Sequence, residues 1–347
     1  MTNFLPVKVN AVLAVSKEDT VNNIKENLQT IPTWFDRMFY PNGYEAIICS
    51  AGPSLEKYAT ELNLKERMAN PSRPFILFCV KHSLPRLVAM GIEPDFCVIL
   101  DGRDFNGEST HGVNRASLFE TIPPKTIFLV ASMANPGYAK YLMDNGARVM
   151  GWHTEVEAIK EFAHMIKEPI ISGGTSSGTR CVAIAHALGI RDITLVGFDS
   201  CIHNPTPAQL LERDKKDRKK YIPVELPLTQ LSEADKAFLE DKVQETSEAM
   251  PENTVIKIAA FKKFYTTGEL MAQAQDFENL FSSPHFDIKY QVYDDGLVGH
   301  LFSNMTRPQR DFSFTSFFKT KVPKKETLGE VQKRSVTLPS VDPDPVE

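Results

Sequence analysis

The sequence predicts an α/β fold with a Rossmann-like, doubly wound, mostly parallel sheet, and three observations carry that expectation. From residue 44 onward, strand-like and helix-like segments alternate. The strand-like runs are nearly continuous in apolar residues, as strands buried on both faces are, while the segments between them have helical spacing. The polar and glycine-bearing turns that stand out fall at the carboxyl ends of the expected strands, where ligands of such folds bind.

Residues 1–43 read as an N-terminal extension, with "VNNIKENLQTIPTWFDRMF" as a helix over the start of the sheet. "EAIICSA" is then a strand and "LEKYATELNLKERMA" a helix. "FILFCV" precedes the helix "SLPRLVAMGI", and "DFCVIL" is a strand ending at Asp101. "TIFLVAS" leads to "PGYAKYLMDNG", then "RVMGWH" to the helix "EVEAIKEFAHMIK". "PIISGG" opens onto the helical "TSSGTRCVAIAHALG", and "DITLVGFDS" is the next strand. Residues 204–253 turn polar, with "LLERDKKDRKKY" and "SEADKAFLEDKVQETSEAM". They read as a solvated helical insertion and, because they leave a strand's carboxyl end, equally as a lid. "TVIKIAAF" and "IKYQVYDD" are later strands around the helix "GELMAQAQDFENLF", so one domain spans 44–318. Residues 319–347, basic and then Pro-rich and acidic, read as a flexible tail.

Of the 347 residues, 42% are hydrophobic and 24% charged, as in an average soluble protein. A net charge of −5 gives no clear nucleic-acid signal. The five cysteines, Cys49, Cys79, Cys97, Cys181 and Cys201, are scattered without metal-ligand spacing, which points to buried thiols in a reducing compartment. No apolar run approaches the ~20 residues of a membrane span, and no leader pattern is visible, so a cytoplasmic protein is expected.

Four turns carry candidate chemistry. In "SAGPSLEK", Gly52 permits a tight turn, Pro53 follows it, and Ser54 either offers donors to a phosphate or caps the next helix. In "SGGTSSGTR", Gly173, Gly174, Thr175, Ser176 and Ser177 read as a cradle for a nucleotide's phosphate or ribose, or as close packing of helix on sheet. A Walker loop does not fit, since Thr179 and Arg180 stand where lysine and a hydroxyl are needed. In "ILDGRD", Asp101 acts as base or holds Mg²⁺ with Asp104, or simply pairs with Arg103. In "LVGFDSCIH", Asp199 binds a sugar hydroxyl or metal, and His203 is a candidate general base. Lys81 and His82, after "FILFCV", are placed to neutralise a phosphate; His186, inside "AIAHALG", reads as core.

Taken in order, "AGPSLEK", "GIEPDFCVILD", "GGTSSG" and "ALGIRDITLVGFDS" resemble the 6-hydroxymethylpterin pyrophosphokinase (MptE-like) family over roughly residues 44–203. That family is similar in turn to the motility-associated-factor glycosyltransferases and, distantly, to bacterial sialyltransferases. The resemblance implies a nucleotide-binding transferase, with Gly52, Pro53, Ser54, Gly173, Gly174 and Ser177 at the nucleotide and Asp101 and Asp199 at the matching strand ends. In the glycosyltransferase branch a histidine often follows the last aspartate, and His203 is its counterpart. Three readings follow. The first is a glycosyltransferase using a nucleotide-activated sugar. The second is an ATP- and Mg²⁺-dependent pyrophosphokinase with Asp101, Asp104 and Asp199 as carboxylates. The third is a non-catalytic nucleotide-binding or assembly protein.

Overall fold

The computed structural model describes residues 14–108, 114–203, 222–227, 261–283 and 286–305. The chain divides into units at residues 1–304 and 305–347, and of the second only Met305 is described. Most of the expected insertion, the start of the strand expected at 254–261 and the whole tail lie outside the described residues.

Eight strands form the main sheet: β1 (Glu45–Cys49), β2 (Phe75–Val80), β3 (Phe96–Ile99), β4 (Ile127–Ala131), β5 (Arg148–Thr154), β6 (Ile170–Ile171), β7 (Asp192–Val196) and β10 (Lys289–Tyr293). They lie in the order β10-β7-β1-β2-β3-β4-β5-β6, and every pairing in the sheet is parallel. The expected α/β architecture is therefore present. The apolar runs are what drive it: Ile47, Ile48, Leu77, Phe78, Val98, Ile99, Phe128, Val130 and Leu195 have no exposed surface. From β1 the chain proceeds one way to β6, then returns through α6 (Ser177–Ala187) to β7 on β1's other side. The reversal between β1 and β7 is the switch point where such sheets leave a crevice.

Helix α6 crosses the sheet over a row of small side chains. Register places Cys49 opposite Cys79 and Cys79 opposite Cys97, and Cys181 of α6 is buried with them. All five cysteines are free thiols, and burial pushes the Cys49 thiol up to about 12.

Several elements differ from the sequence pattern for local reasons. The helix expected over 55–69 is split into α2 (Leu55–Glu61) and α3 (Leu64–Ala69) by Asn63, which takes a left-handed backbone at φ 49°. The segment expected as a helix at 155–167 contains only a 3₁₀ turn, Glu157–Phe162. Helices α4 (Leu84–Ala89) and α5 (Pro136–Asp144) fall within their expected segments, α7 (Gly268–Ser282) runs one residue past its own, and α8 (Leu297–Met305) adds a helix that the pattern does not announce. Inside the segment expected as helical insertion, β8 (Ile222–Pro227) pairs antiparallel with β9 (Phe261–Thr266) in a separate ribbon. Ile202, just past β7, donates its N–H to the Tyr265 carbonyl of that ribbon at 2.8 Å. Among the described residues no helix is long and apolar enough to cross a membrane.

The N-terminal segment is an integral strap. Helix α1 (Lys17–Thr30), capped by Ser16, ends well before the expected Phe39. Its buried Asn27 donates to the carbonyls of Ser132 (2.9 Å) and Ala134 (2.7 Å), and Asn23 to those of Gly102 (3.0 Å) and Met133 (3.2 Å). These carbonyls follow β3 and β4, so α1 sits at the carboxyl ends of the strands rather than over the start of the sheet. The chain then bridges Trp34 to Gly151 on the outer flank of β5, and Trp34 stacks on His153 at 4.4 Å. This covers an edge that the two-residue β6 leaves open. Further on, the N–H groups of Phe39 and Asn42 bond to the carbonyls of Ala187 and Gly189 at the end of α6.

Asn27→Ala strands two buried carbonyls and is expected to cost about 1–3 kcal/mol of unfolding free energy. Urea denaturation checks this; a loss within about 0.5 kcal/mol, as for an ordinary surface change, would mean that α1 is not held by these bonds.

Candidate functional site

The strands β1, β2, β3, β7 and β10 all deliver polar residues at their carboxyl ends. The first turn follows β1. Gly52 donates its N–H to the Gly197 carbonyl at 2.8 Å, extending the β1–β7 contact past the strands. A Cβ at Gly52 would collide with the Asp199 carboxylate and the Gly197 carbonyl, so close backbone approach requires glycine there. Ser54 does not cap α2. Both its backbone N–H (3.2 Å) and its hydroxyl (2.8 Å) donate to Asp199 Oδ2. Arg86 holds the same turn from below, donating to the carbonyls of Ala51 (2.7 Å) and Gly52 (3.1 Å) while pairing with Glu56. Pro53 points outward and is exposed. The anion gripped by the Gly52-Pro53-Ser54 turn is therefore the protein's own Asp199, which has no exposed surface.

The second turn repeats this logic. Gly173 and Gly174 take φ of 126° and 95°, a backbone that favours glycine. Gly173 lies directly against Ala183 of α6, which is the packing role. Thr175 donates both its N–H and its hydroxyl to Asp276 of α7, the hydroxyl at 2.6 Å. Ser176 is the cap of α6, in a reciprocal capping box with Thr179, and Ser177 opens the helix. The two turns do approach one region, since Gly178 packs against Phe198, the neighbour of Asp199. In this structure the donors of each turn are directed at one of the protein's own carboxylates.

The third site lies beyond β2 and β3, and its character is cationic. The Asp101 carboxylate is ringed by Lys81, Arg103 (Nε to Oδ1 2.8 Å, Nη2 to Oδ2 2.9 Å) and Arg115 (Nε to Oδ2 3.3 Å). Lys81 also donates to the Tyr138 hydroxyl at 3.1 Å. Burial pushes the Asp101 carboxyl up, but the Arg103 hydrogen bonds and the Lys81 charge outweigh it and hold it well below the usual range. Such a carboxylate is a poor proton acceptor. Its oxygens are already committed to cations, so it does not fit as a Mg²⁺ ligand either. Asp104 is exposed, with Oδ1 accepting the Asn106 N–H at 3.2 Å, and does not join Asp101 as a pair. Among the described residues no group of three or more His, Cys, Asp and Glu stands together as a metal site.

The fourth set gathers at β7 and β10. His203 Nε2 lies 2.8 Å from Asp199 Oδ1 without the alignment of a hydrogen bond, and the imidazole is about a third exposed. Ser200, between them in sequence, is buried with φ at 50°, a strained conformation for a residue with a side chain. The turn after β10 closes on Asp199 from the other side: Gly296 abuts its backbone, and Leu297 N–H donates to its carbonyl at 2.7 Å. In that turn Asp294 Oδ1 accepts the N–H groups of Gly296 (2.8 Å) and Gly299 (2.9 Å), while Oδ2 is buried without a hydrogen-bond partner. Burial and then the Asp199 charge push the Asp294 carboxyl up to about 7.

Sequence reasoning singled out Asp199, His203, Asp101 and Lys81 but missed Asp294, Asp276, Arg115 and Tyr138. Asp294 ends a strand as Asp101 and Asp199 border theirs, so the same criterion applied to "YDDG" finds it. His186, expected in the core, is partly exposed and lies 3.1 Å from Asp287.

The raised Asp294 has a measurable consequence. The folded protein keeps a proton that the unfolded chain has released above about pH 4, so this group favours folding at low pH. That contribution is lost as pH rises from about 4 to about 7. Asp294→Asn preserves the amide-accepting oxygen and is expected to flatten the decline by up to ~1.4 kcal/mol per pH unit. Thermal unfolding of both proteins across that window checks this, and an unchanged slope would place the carboxyl in its ordinary range.

No curated protein matches the chain. A structure of the MAf glycosyltransferase from Magnetospirillum magneticum AMB-1 is similar with a TM-score of 0.45 and 10% identity, over 85% of this chain and 42% of that one. This chain thus spans less than half the length of that protein. The model of the family described as 6-hydroxymethylpterin diphosphokinase MptE-like matches residues 18–205. That stretch begins inside α1, ahead of the expected start at 44, and ends two residues past His203. It covers more than half of the sequence, and the chain belongs to the MptE-like family.

Proposed function

We propose that this protein is a nucleotide-dependent transferase that activates an acceptor hydroxyl with the Asp199–His203 pair, using a nucleotide-activated sugar as donor. The observation that carries the reading is the placement of that pair at the β1–β7 switch point, with a buried carboxylate 2.8 Å from a partly exposed imidazole. With Nε2 beside Asp199, Nδ1 is the nitrogen this reading assigns to take the acceptor's proton. The Asp199 charge stabilises the imidazolium that forms, while the two Ser54 donors fix Asp199. As the acceptor oxygen bonds to the transferred group, the nucleotide phosphate departs with the bonding electron pair, and fixed positive charge near it lowers the barrier.

Glycosyl transfer is favoured over diphosphate transfer by the surroundings of Asp101. Moving a diphosphate from ATP relies on metal ions bridging the phosphates, and the carboxylate expected to hold one is instead bound by Lys81, Arg103 and Arg115. The second reading, an ATP-dependent diphosphotransferase acting on a hydroxymethyl group, keeps the support of the family's description.

A thermal-shift panel of CMP, UDP, GDP and ATP, each with and without Mg²⁺, separates the two. A ligand at about 100 times its Kd adds roughly 2.7 kcal/mol to the native state. The expected result is stabilisation by a sugar-carrier nucleotide with no requirement for metal; stabilisation by ATP only with Mg²⁺ would transfer the assignment to the second reading. With the donor identified, His203→Ala is expected to lower kcat by about 10²–10⁴, and a variant with undiminished turnover would remove His203 as the base.

A further inference from the structure

Around Asp101 three cations share one carboxylate, and the sharing is buried. Lys81 and Arg115 are 4% and 5% exposed, and the side chain of Asp101 is 5% exposed. Two further acidic groups act on the cluster among the described residues: the exposed Glu269, at the start of α7, on Arg103, and the exposed Asp104 on Tyr138. Positive charge withdrawn from water is costly unless it is paired. Arg115 Nε is moreover buried with no aligned acceptor, although the Asp101 oxygen lies 3.3 Å away. Arg115 Nη1 is engaged with the Asp104 carbonyl at 3.1 Å. Arg103 spends Nε and Nη2 on Asp101, leaving Nη1, and its side chain is 30% exposed, so it forms the solvent-facing rim of the cluster.

We infer that Lys81, Arg103 and Arg115 form a binding site for a phosphate or diphosphate group, with Asp101 acting as the internal tether that aligns the cations rather than as a catalytic residue. Two guanidinium groups and an ammonium suit a multiply charged oxyanion, because planar arginine forks pair with phosphate oxygens and the lysine adds a point charge. The location is consistent, since β2 and β3 are the strands next to β1 and the cations lie at their carboxyl ends, the side on which sheets of this kind bind ligands. In this structure the donors of the two glycine turns are engaged by Asp199 and Asp276, whereas the cations lie at the ends of β2 and β3, the next two strands beyond β1. This inference takes the ligand's nucleotide identity from the proposed transferase reading, but its charge and position come from the cluster alone.

Isothermal titration with inorganic diphosphate, at constant ionic strength maintained with chloride, tests it. The expected result is saturable binding that weakens at least roughly tenfold in Arg103→Ala and in Arg115→Gln, as loss of a charge-assisted contact requires. Arg37→Ala, an exposed arginine outside the cluster, is expected to bind like the parent. Arg103→Ala removes a partly exposed side chain and keeps two cations on Asp101, so it remains informative if Arg115→Gln does not fold. No saturable binding by the parent protein, or equal affinity in Arg103→Ala, overturns the site. The nucleotide panel is read separately: diphosphate binding without any nucleotide response retains the site and discards the transferase, and the reverse discards the site alone.

Discussion

A single buried carboxylate sets the geometry of the switch point. Asp199 leaves β7 and is seated on two donors from the turn after β1, so two strands that diverge in connectivity are joined beyond their last sheet hydrogen bond. Much around it is a consequence of that seat. Gly52 must lack a side chain, Ser54 is withdrawn from helix capping, and Arg86 secures the backbone carbonyls that the turn would otherwise leave open. Ser200 takes up a strained backbone as the chain turns away from Asp199, and His203 returns beside the second carboxylate oxygen. Hydrogen bonds of this kind are individually modest in net effect, but leaving any one of these buried groups unpaired is expensive.

The strand ends are also polarised across the sheet. Carboxylates collect under β7 and β10, where Asp199, Asp294 and Asp295 lie, and cations collect under β2 and β3. A transferred group bridging a phosphate and a neutral hydroxyl meets opposite demands at its two ends: positive charge where electrons arrive, and a proton acceptor where the nucleophile forms. Helix α7 lies across this gradient. Its residues Glu269, Gln273 and Asp276, spaced to share one face, act on Arg103, Ser200 and Thr175 in turn.

The architecture was readable because it is written in local pattern. Apolar runs such as "FILFCV" announce strands, and among the described residues departures occur where a single residue such as Asn63 breaks a helix, where few side chains are buried, as at 155–167, and where long-range pairing decides, as in β8 and the N-terminal strap. The site was readable only in outline. A carboxylate at a strand end is visible in a linear pattern, which brought out Asp101 and Asp199. What that carboxylate touches depends on partners far along the chain: Ser54 and Asp199 are 145 residues apart, and Thr175 and Asp276 are 101 apart. A glycine-rich turn that holds a phosphate and one that holds an aspartate therefore look alike in sequence. Arg115, in a loop with no motif, gives no local signal at all.

The strap formed by residues 14–42 has a consequence for the order in which the molecule assembles. Asn27 is tied to carbonyls 105 and 107 positions downstream, and Asn42 to one 146 positions downstream. During synthesis the opening segment emerges with none of these partners yet made. It must wait, solvated, until β4, β5 and α6 have been produced, so a segment synthesised ahead of the sheet is seated only after most of the sheet exists.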